Sequence, residues 1–447
     1  MIFLFSLFSV SIIFLFFQLN PQELFICDEY KEYSLMIFNN DINFKYPVSK
    51  CDDKVYFAIL DNFESIFENT GNQYQNRPLY LLLPLLVFNF LSMFDNLNRL
   101  DFIYELSYLI SQIIFSTIAI SLLVIIANKY FKINNLDIFV ITFLYYLNPV
   151  IQFGTFSASN GTLSVLVLIS TIFTLEKYKN SNFPLIIYLI FGCLFLANRS
   201  FIVAIVTMFI FNFNKNRLNI KYYLNSGLGI ILFFIPNFIY KYFMRLNDFL
   251  IYDINAEYYG QFIWISKYFD SGIFYWSSKL LLSEDLFNLR LTKNWNSTDE
   301  WYCQNIPDNF ICFIQDLYSV CLYLIISIIL ILMVNLLSSN KFNSNLRNIL
   351  LISGFINLFF WSFIGWYPPL RFGLFSLGNF IFILLIFTYF KLDRFKFRFS
   401  YFATVTFGYL NVAHWNNPNF QEFKFVSYLS FAMLILTIFQ QYKFEKI

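Results

Sequence analysis

Leu79-Tyr80-Leu81-Leu82-Leu83-Pro84-Leu85-Leu86-Val87-Phe88-Asn89-Phe90-Leu91-Ser92-Met93-Phe94 is the stretch whose reading decides the fold. Hydropathy alone leaves it ambiguous between a membrane span and a helix lying on a membrane surface. Lysine and arginine decide between the two. If 79–94 crosses, the basic loops that follow alternate onto the wrong side. If it lies in the interface, Lys129, Lys132, Lys177, Lys179, Lys215, Arg217, Lys221, Lys341, Arg347, Lys391, Arg394, Lys396 and Arg398 all fall on one side. Lys443 and Lys446 of the tail join them, while the short loops opposite hold only Arg199, Arg371 and Lys424. That is the positive-inside asymmetry of a polytopic protein.

Composition requires the same class. Of 447 residues, 58% are hydrophobic and 13% charged, and mean hydropathy is +0.58. Soluble chains carry roughly 25% charged residues, so a water-exposed surface would leave far too much apolar area uncovered. The 63 phenylalanines and 31 tyrosines, with abundant Lys, Asn and Ile, fit an AT-rich coding sequence better than an aromatic function. The net charge of +2 says little, and there is neither a basic patch nor a nucleic-acid motif.

Spans of roughly 20 apolar residues, some shorter, are expected at 1–19, 106–127, 138–152, 162–176, 184–197, 201–213, 223–240, 318–337, 348–366, 372–390, 400–413 and 425–440. The first lacks a basic leader and a small-residue cleavage site, so it reads as an uncleaved helix rather than a signal peptide. The expected architecture is an all-α polytopic membrane protein with about 12 transmembrane helices and both termini cytoplasmic. It forms one domain over 1–447, with large outward loops at 20–105 and 241–317. Aromatic clusters such as Tyr258-Tyr259 and Phe274-Tyr275-Trp276 argue that these loops fold into a cap.

Cys193 and Cys321 sit in apolar segments and read as core residues. Cys27 and Cys51 share the first outward loop, and Cys303 and Cys312 the second, so two disulfides in an oxidising compartment are candidates, with the pairing left open. The single histidine, His414, stands alone in the last outward loop and reads as structural. No metal is indicated, although a divalent ion is compatible with the chemistry below. Asn296-Ser297-Thr298 is a glycosylation sequon whose relevance depends on the host.

The polar stretch between the first span and Tyr80 carries the candidate chemistry. Asp28-Glu29 follows the first span at the membrane boundary, where a carboxylate can act as general base on an acceptor beside a lipid-borne donor. A solvated acidic loop is the plainer reading of that pair, and Asp52-Asp53 is a weaker second pair. Asn76-Arg77-Pro78-Leu79-Tyr80 places a guanidinium just before the apolar run, with proline fixing the turn into the helix. Such an arginine either binds a phosphate through paired hydrogen bonds or snorkels to the interface. Glu257 and Asp270 in the second loop are further candidates for acceptor contact, with no pattern around them to single them out.

This order of features resembles the GT-C class of membrane glycosyltransferases, in particular bacterial relatives of the protein O-mannosyltransferase and aminoarabinose transferase families. Those open with one span, an acidic pair followed by tyrosine (here Asp28-Glu29-Tyr30), then a basic residue with Pro-Leu-Tyr leading a surface helix (here Arg77-Pro78-Leu79-Tyr80). Leu147-Asn148-Pro149 precedes Ser157-Ala158-Ser159-Asn160, where the family tends to place an aspartate; Asn160 departs from it. Gly192 to Arg199 resembles the family's glycine-led helix ending in a basic residue, and Pro368-Pro369-Leu370-Arg371-Phe372 its outward arginine–aromatic element.

The resemblance implies Asp28 or Glu29 as the acceptor base, with Arg77, Tyr80, Asn160, Arg199 and Arg371 around the substrate. It implies a polyprenyl-phosphate-linked sugar as donor, a lipid, glycan or protein as acceptor, no nucleotide cofactor, and a bacterial plasma membrane. Two rivals remain. An O-antigen-type oligosaccharide polymerase would place its weight on late-loop arginines. A lipid-linked sugar flippase or transporter would carry charges inside its spans and broken, repeated helices.

Overall fold

The computed structural model describes residues 2–19, 35–36, 43–44, 56, 59–60, 62–64, 66, 77–93, 100–148, 151, 162–213, 220–247, 344–363, 369–392, 398–406 and 432. Its helices are α1 (Ile2–Leu19), α2 (Pro78–Ser92), α3 (Leu100–Asn128), α4 (Asn135–Leu147), α5 (Thr162–Lys177), α6 (Leu185–Phe195), α7 (Phe201–Phe213), α8 (Ile220–Leu246), α9 (Ser344–Phe363) and α10 (Pro369–Lys391). Residues 398–406 are also helical. Within the first long loop, Leu35 pairs with Phe44 and Met36 with Asn43 in a two-residue antiparallel contact. Every other described element is helical.

α5 is central, packed against α3, α7, α9 and α10. α1 lies on α3 and α4, α2 lies on α3, and α6 joins α8 to the bundle through α7. Aromatic edges fill the joints: Phe14 meets Tyr146 at 5.7 Å between ring centres, and Phe88 stacks on Tyr104 at 5.0 Å. Hydroxyls inside this apolar packing bond backward along their own helices. Ser107 donates to the Ile103 carbonyl at 2.6 Å, Thr117 to Ile113 at 2.7 Å and Thr207 to Val203 at 2.7 Å. An unmet hydroxyl in an apolar interior is costly, and this local bond removes the cost without a partner helix.

α6 and α8 approach each other closely. A Cβ on Gly192 would collide with the backbone carbonyl of Phe233, and one on Gly229 would come within 2.7 Å of the Tyr188 ring. Gly192 lets the α8 backbone come close, and Gly229 makes room for the Tyr188 ring, so small residues on both helices permit tight packing. The outer face of α8 is apolar and uncovered, with Phe238 71% exposed and Leu224, Ile231 and Ile239 also exposed. α1 presents Leu4 and Phe8 in the same way.

Leu106–Asn128 in α3 and Tyr223–Leu246 in α8 are each long and apolar enough to cross a membrane. Expected spans at 162–176 and 201–213 coincide with α5 and α7. α4, α6 and α7, with 13, 11 and 13 residues, rise about 16–20 Å, less than a hydrocarbon core of about 30 Å. The expected span 318–337 lies outside the described residues, as does 425–440 apart from Ala432. The largest differences from expectation are at two ends: α3 begins at Leu100, before 106, and α8 continues to Leu246, beyond 240. α8 runs on because Tyr242-Phe243-Met244 keeps it apolar, and Arg245 in its last turn complements the helix dipole.

Candidate functional site

α2 starts at Pro78, whose fixed φ and missing N–H suit the first helical turn. One side of α2 (Tyr80, Leu81, Pro84) is buried, and the other (Leu82, Leu86, Phe90, Met93) is exposed and equally apolar. Tyr80 is 0% exposed and belongs to a nest of tyrosines. Its ring lies 5.9 Å from Tyr56 and 6.4 Å from Tyr108, and Tyr56 lies 5.9 Å from Tyr108. Gln112 donates its amide to the Tyr80 hydroxyl at 3.1 Å, and the Tyr108 hydroxyl donates to the Tyr56 carbonyl at 2.8 Å. Arg77 Nη1 donates to the Tyr56 hydroxyl at 3.5 Å, a long contact. The nest thus ties Tyr56, the start of α2 and the N-terminal turns of α3 together around Arg77.

The start of α2 also meets the end of α6: the Leu79 N–H donates to the Leu196 carbonyl at 3.3 Å. After Leu196, the buried Asn198 accepts the Ser200 N–H at 2.9 Å through Oδ1, which closes the turn into α7. Arg199 sits in that turn, with its guanidinium 5.1 Å from the centre of the Phe195 ring. Phe195 in turn packs on Phe233 at 5.2 Å and Phe234 at 6.3 Å. Arg199 is therefore carried against α8, where its charge interacts with Tyr240 and Lys241; Arg245 acts on Lys241 as well.

The elements bearing Arg77 and Arg199 are thus joined. Arg371 lies in the first turn of α10, with its side chain outside the described residues. Asp28, Glu29 and Asn160 lie outside the described residues too, as do Asp52, Asp53, Glu257, Asp270 and His414. So do all four disulfide candidates, Cys27, Cys51, Cys303 and Cys312. Cys193 is a free, half-buried thiol in α6. Among the described residues no group of three His, Cys, Asp or Glu is placed to hold a metal. Tyr56, Tyr108, Gln112, Lys241 and Arg245 are additions that sequence reading missed. Gln112, an amide inside an otherwise apolar span, was the one visible signal.

Buried carboxylates gather elsewhere, where α3 ends, α4 begins, and α5 and α10 end. Glu176 accepts Lys129 and Lys179, each at 2.8 Å. Burial, helped by the adjacent Glu176 carboxylate, pushes the Tyr130 phenol well above its ordinary pKa. Asp137 and Asn134 exchange hydrogen bonds in a capping box, with Asn134 N–H donating at 3.1 Å and Asp137 N–H at 2.9 Å. Tyr389 donates its hydroxyl to Asp137 at 3.2 Å, and Arg398 lies 3.6 Å away. These groups pair with each other. No family model, curated protein or solved structure matches the chain.

Proposed function

We propose that the chain is a multi-pass glycosyltransferase that moves a sugar from a polyprenyl-phosphate donor to an acceptor on the outer face of a bacterial plasma membrane, with both termini cytoplasmic. The membrane part draws support from two helices of spanning length and from apolar side chains exposed along α1, α2 and α8, since exposed apolar faces mark contact with lipid or a partner. The observation that carries the catalytic part is the Leu79–Leu196 backbone bond, which joins the Arg77 and Arg199 turns. Two guanidiniums on joined turns can hold one phosphate and stabilise the charge that grows on it as the glycosidic bond breaks. Asp28, with Glu29 as its alternate, takes the acceptor proton, and Tyr80 acts from within the nest by positioning the Arg77 turn.

Transfer of radiolabelled sugar from polyprenyl-phosphate donors, in membranes carrying wild type or Asp28→Asn, tests the assignment. Loss of transfer at normal expression supports a base in the first loop. Undiminished transfer moves the base to Glu29 or the chemistry to the arginines, which is the polymerase reading.

A further inference from the structure

α2 lacks what a helix lying in the interface carries. Such helices set a charged face against an apolar one. Pro78–Ser92 holds no charged residue; one side is buried, and the other exposes Leu79, Leu82, Leu86 and Phe90. Its exposed polar residues, Asn89 and Ser92, both fall in the last turn. Pairs along α3 fix its direction. At the start of α2, Tyr80 accepts Gln112 at 3.1 Å and stacks on Phe115 at 6.1 Å between ring centres. Two turns later, Phe88 stacks on Tyr104 at 5.0 Å. α2 therefore runs beside α3 and antiparallel to it, from the level of Gln112 towards that of Leu100.

The level at which α2 starts follows from the helix ends on the other side. α3 ends at Asn128, next to the ion-paired layer where Lys129 meets Glu176 at the end of α5. At about 1.5 Å per residue, Gln112 stands about 24 Å above that layer. α6 sets out from the same layer, where Phe183 packs on Tyr178 at 6.2 Å just past α5. Its 11 residues rise about 16 Å. There Leu196, the C-cap of α6, accepts the Leu79 N–H at 3.3 Å. An unused carbonyl at one helix end thus takes an unused donor at the other, and the negative end of one dipole faces the positive end of the next.

We propose that α6 and α2 are the two halves of one broken span, with Leu79, Leu82, Leu86 and Phe90 of α2 against the acyl chains of the leaflet further from the ion-paired layer. With 11 and 15 residues, the halves together rise about 39 Å. That is enough for a hydrocarbon core of about 30 Å, which neither crosses alone. α6 exposes Ile186 and Ile190 in its own half, so apolar surface is presented on both. Irregular backbone at membrane depth has to be buried in protein or open to water. At the junction Ala197, Asn198 and Ser200 are buried, and Asn198 Oδ1 accepts the Ser200 N–H at 2.9 Å. A half-span does not change sides, so the lysine and arginine pattern of the later loops is unaffected. The proposal rests on the membrane reading of the chain and on no catalytic step.

Full-length protein in proteoliposomes tests it by depth. Leu79, Leu82, Leu86 or Phe90 is replaced, one at a time, by p-acetylphenylalanine carrying a nitroxide, which leaves the native cysteines intact. Oxygen relaxes nitroxides in hydrocarbon, and a water-soluble nickel chelate relaxes those in water. We expect oxygen to dominate at position 79 and nickel access to climb steadily to position 90, a difference in depth of about 16 Å. The same label at the exposed Ile231 of α8 serves as the hydrocarbon reference. Equal depth at all four positions, the result for a helix flat in the interface, overturns the proposal. Low access to both relaxants overturns it too, since protein then covers the face. Nickel access at all four positions with oxygen access at Ile231 removes the half-span alone. Nickel access at Ile231 as well removes the membrane reading with it.

Discussion

Glu176 offers a test of the packing in which distance and worth come apart. Its carboxylate accepts two lysines at the same 2.8 Å, yet the Lys129 side chain is 49% exposed and that of Lys179 17%, against 4% for Glu176. At 2.8 Å the gross attraction is about 1.5 kcal/mol if water screens it fully and about 6 kcal/mol at an effective dielectric near 20. Lys129 lies towards the first limit and also loses side-chain entropy, leaving a net coupling of about 0.5 kcal/mol. Lys179 lies towards the second. After desolvation is subtracted, its coupling should be about 2 kcal/mol, in the range of charged hydrogen bonds. Double-mutant cycles combining Glu176→Gln with Lys129→Met or Lys179→Met, read by unfolding the detergent-solubilised protein in SDS, measure both terms. Equal couplings, or a larger one for Lys129, would refute the argument that burial ranks these pairs.

Three further outcomes follow from contacts already described. Gly192→Leu should destabilise the protein by about 2 kcal/mol, because the new side chain meets the Phe233 backbone, which cannot yield as a side chain could. Tyr80→Phe keeps the ring contacts but removes the hydroxyl that accepts from the Gln112 amide, at a cost of about 1 kcal/mol, and Gln112→Leu in the same chain should recover part of it in the same unfolding assay. Asp137→Ala removes the α4 capping box and the partner of Tyr389 and Arg398 together, and should cost about 3 kcal/mol, visible as faster hydrogen exchange over Asn134–Val140.

Much of the helix pattern was legible because a bilayer and a helical core ask the same thing of a segment. α5 and α7 begin and end where apolar runs do. The ends that hydropathy misjudged are those where polar residues continue a helix. Asp101 and Glu105 made the first turns of α3 read as loop, and Lys241 and Arg245 did the same for the end of α8. Hydropathy averages over a window and cannot see that a cation at a helix C-terminus is favourable. Within the candidate site, Arg77 and Arg199 stood out because positive charge is sparse on that side of the predicted topology. Tyr56 and Tyr108 did not, since nothing distinguishes them among 31 tyrosines until the helices are packed. The Leu79–Leu196 bond is between backbones and leaves no trace in residue identity.

The central claim is lipid-dependent sugar transfer, and purified protein in proteoliposomes tests it most directly. Supplied with a radiolabelled polyprenyl-phosphate sugar and a mixed pool of lipid, glycan and peptide acceptors, it should yield labelled product and free polyprenyl phosphate, with no nucleotide sugar present. Movement of intact donor across the bilayer without product, or transfer from a nucleotide sugar alone, would contradict the account.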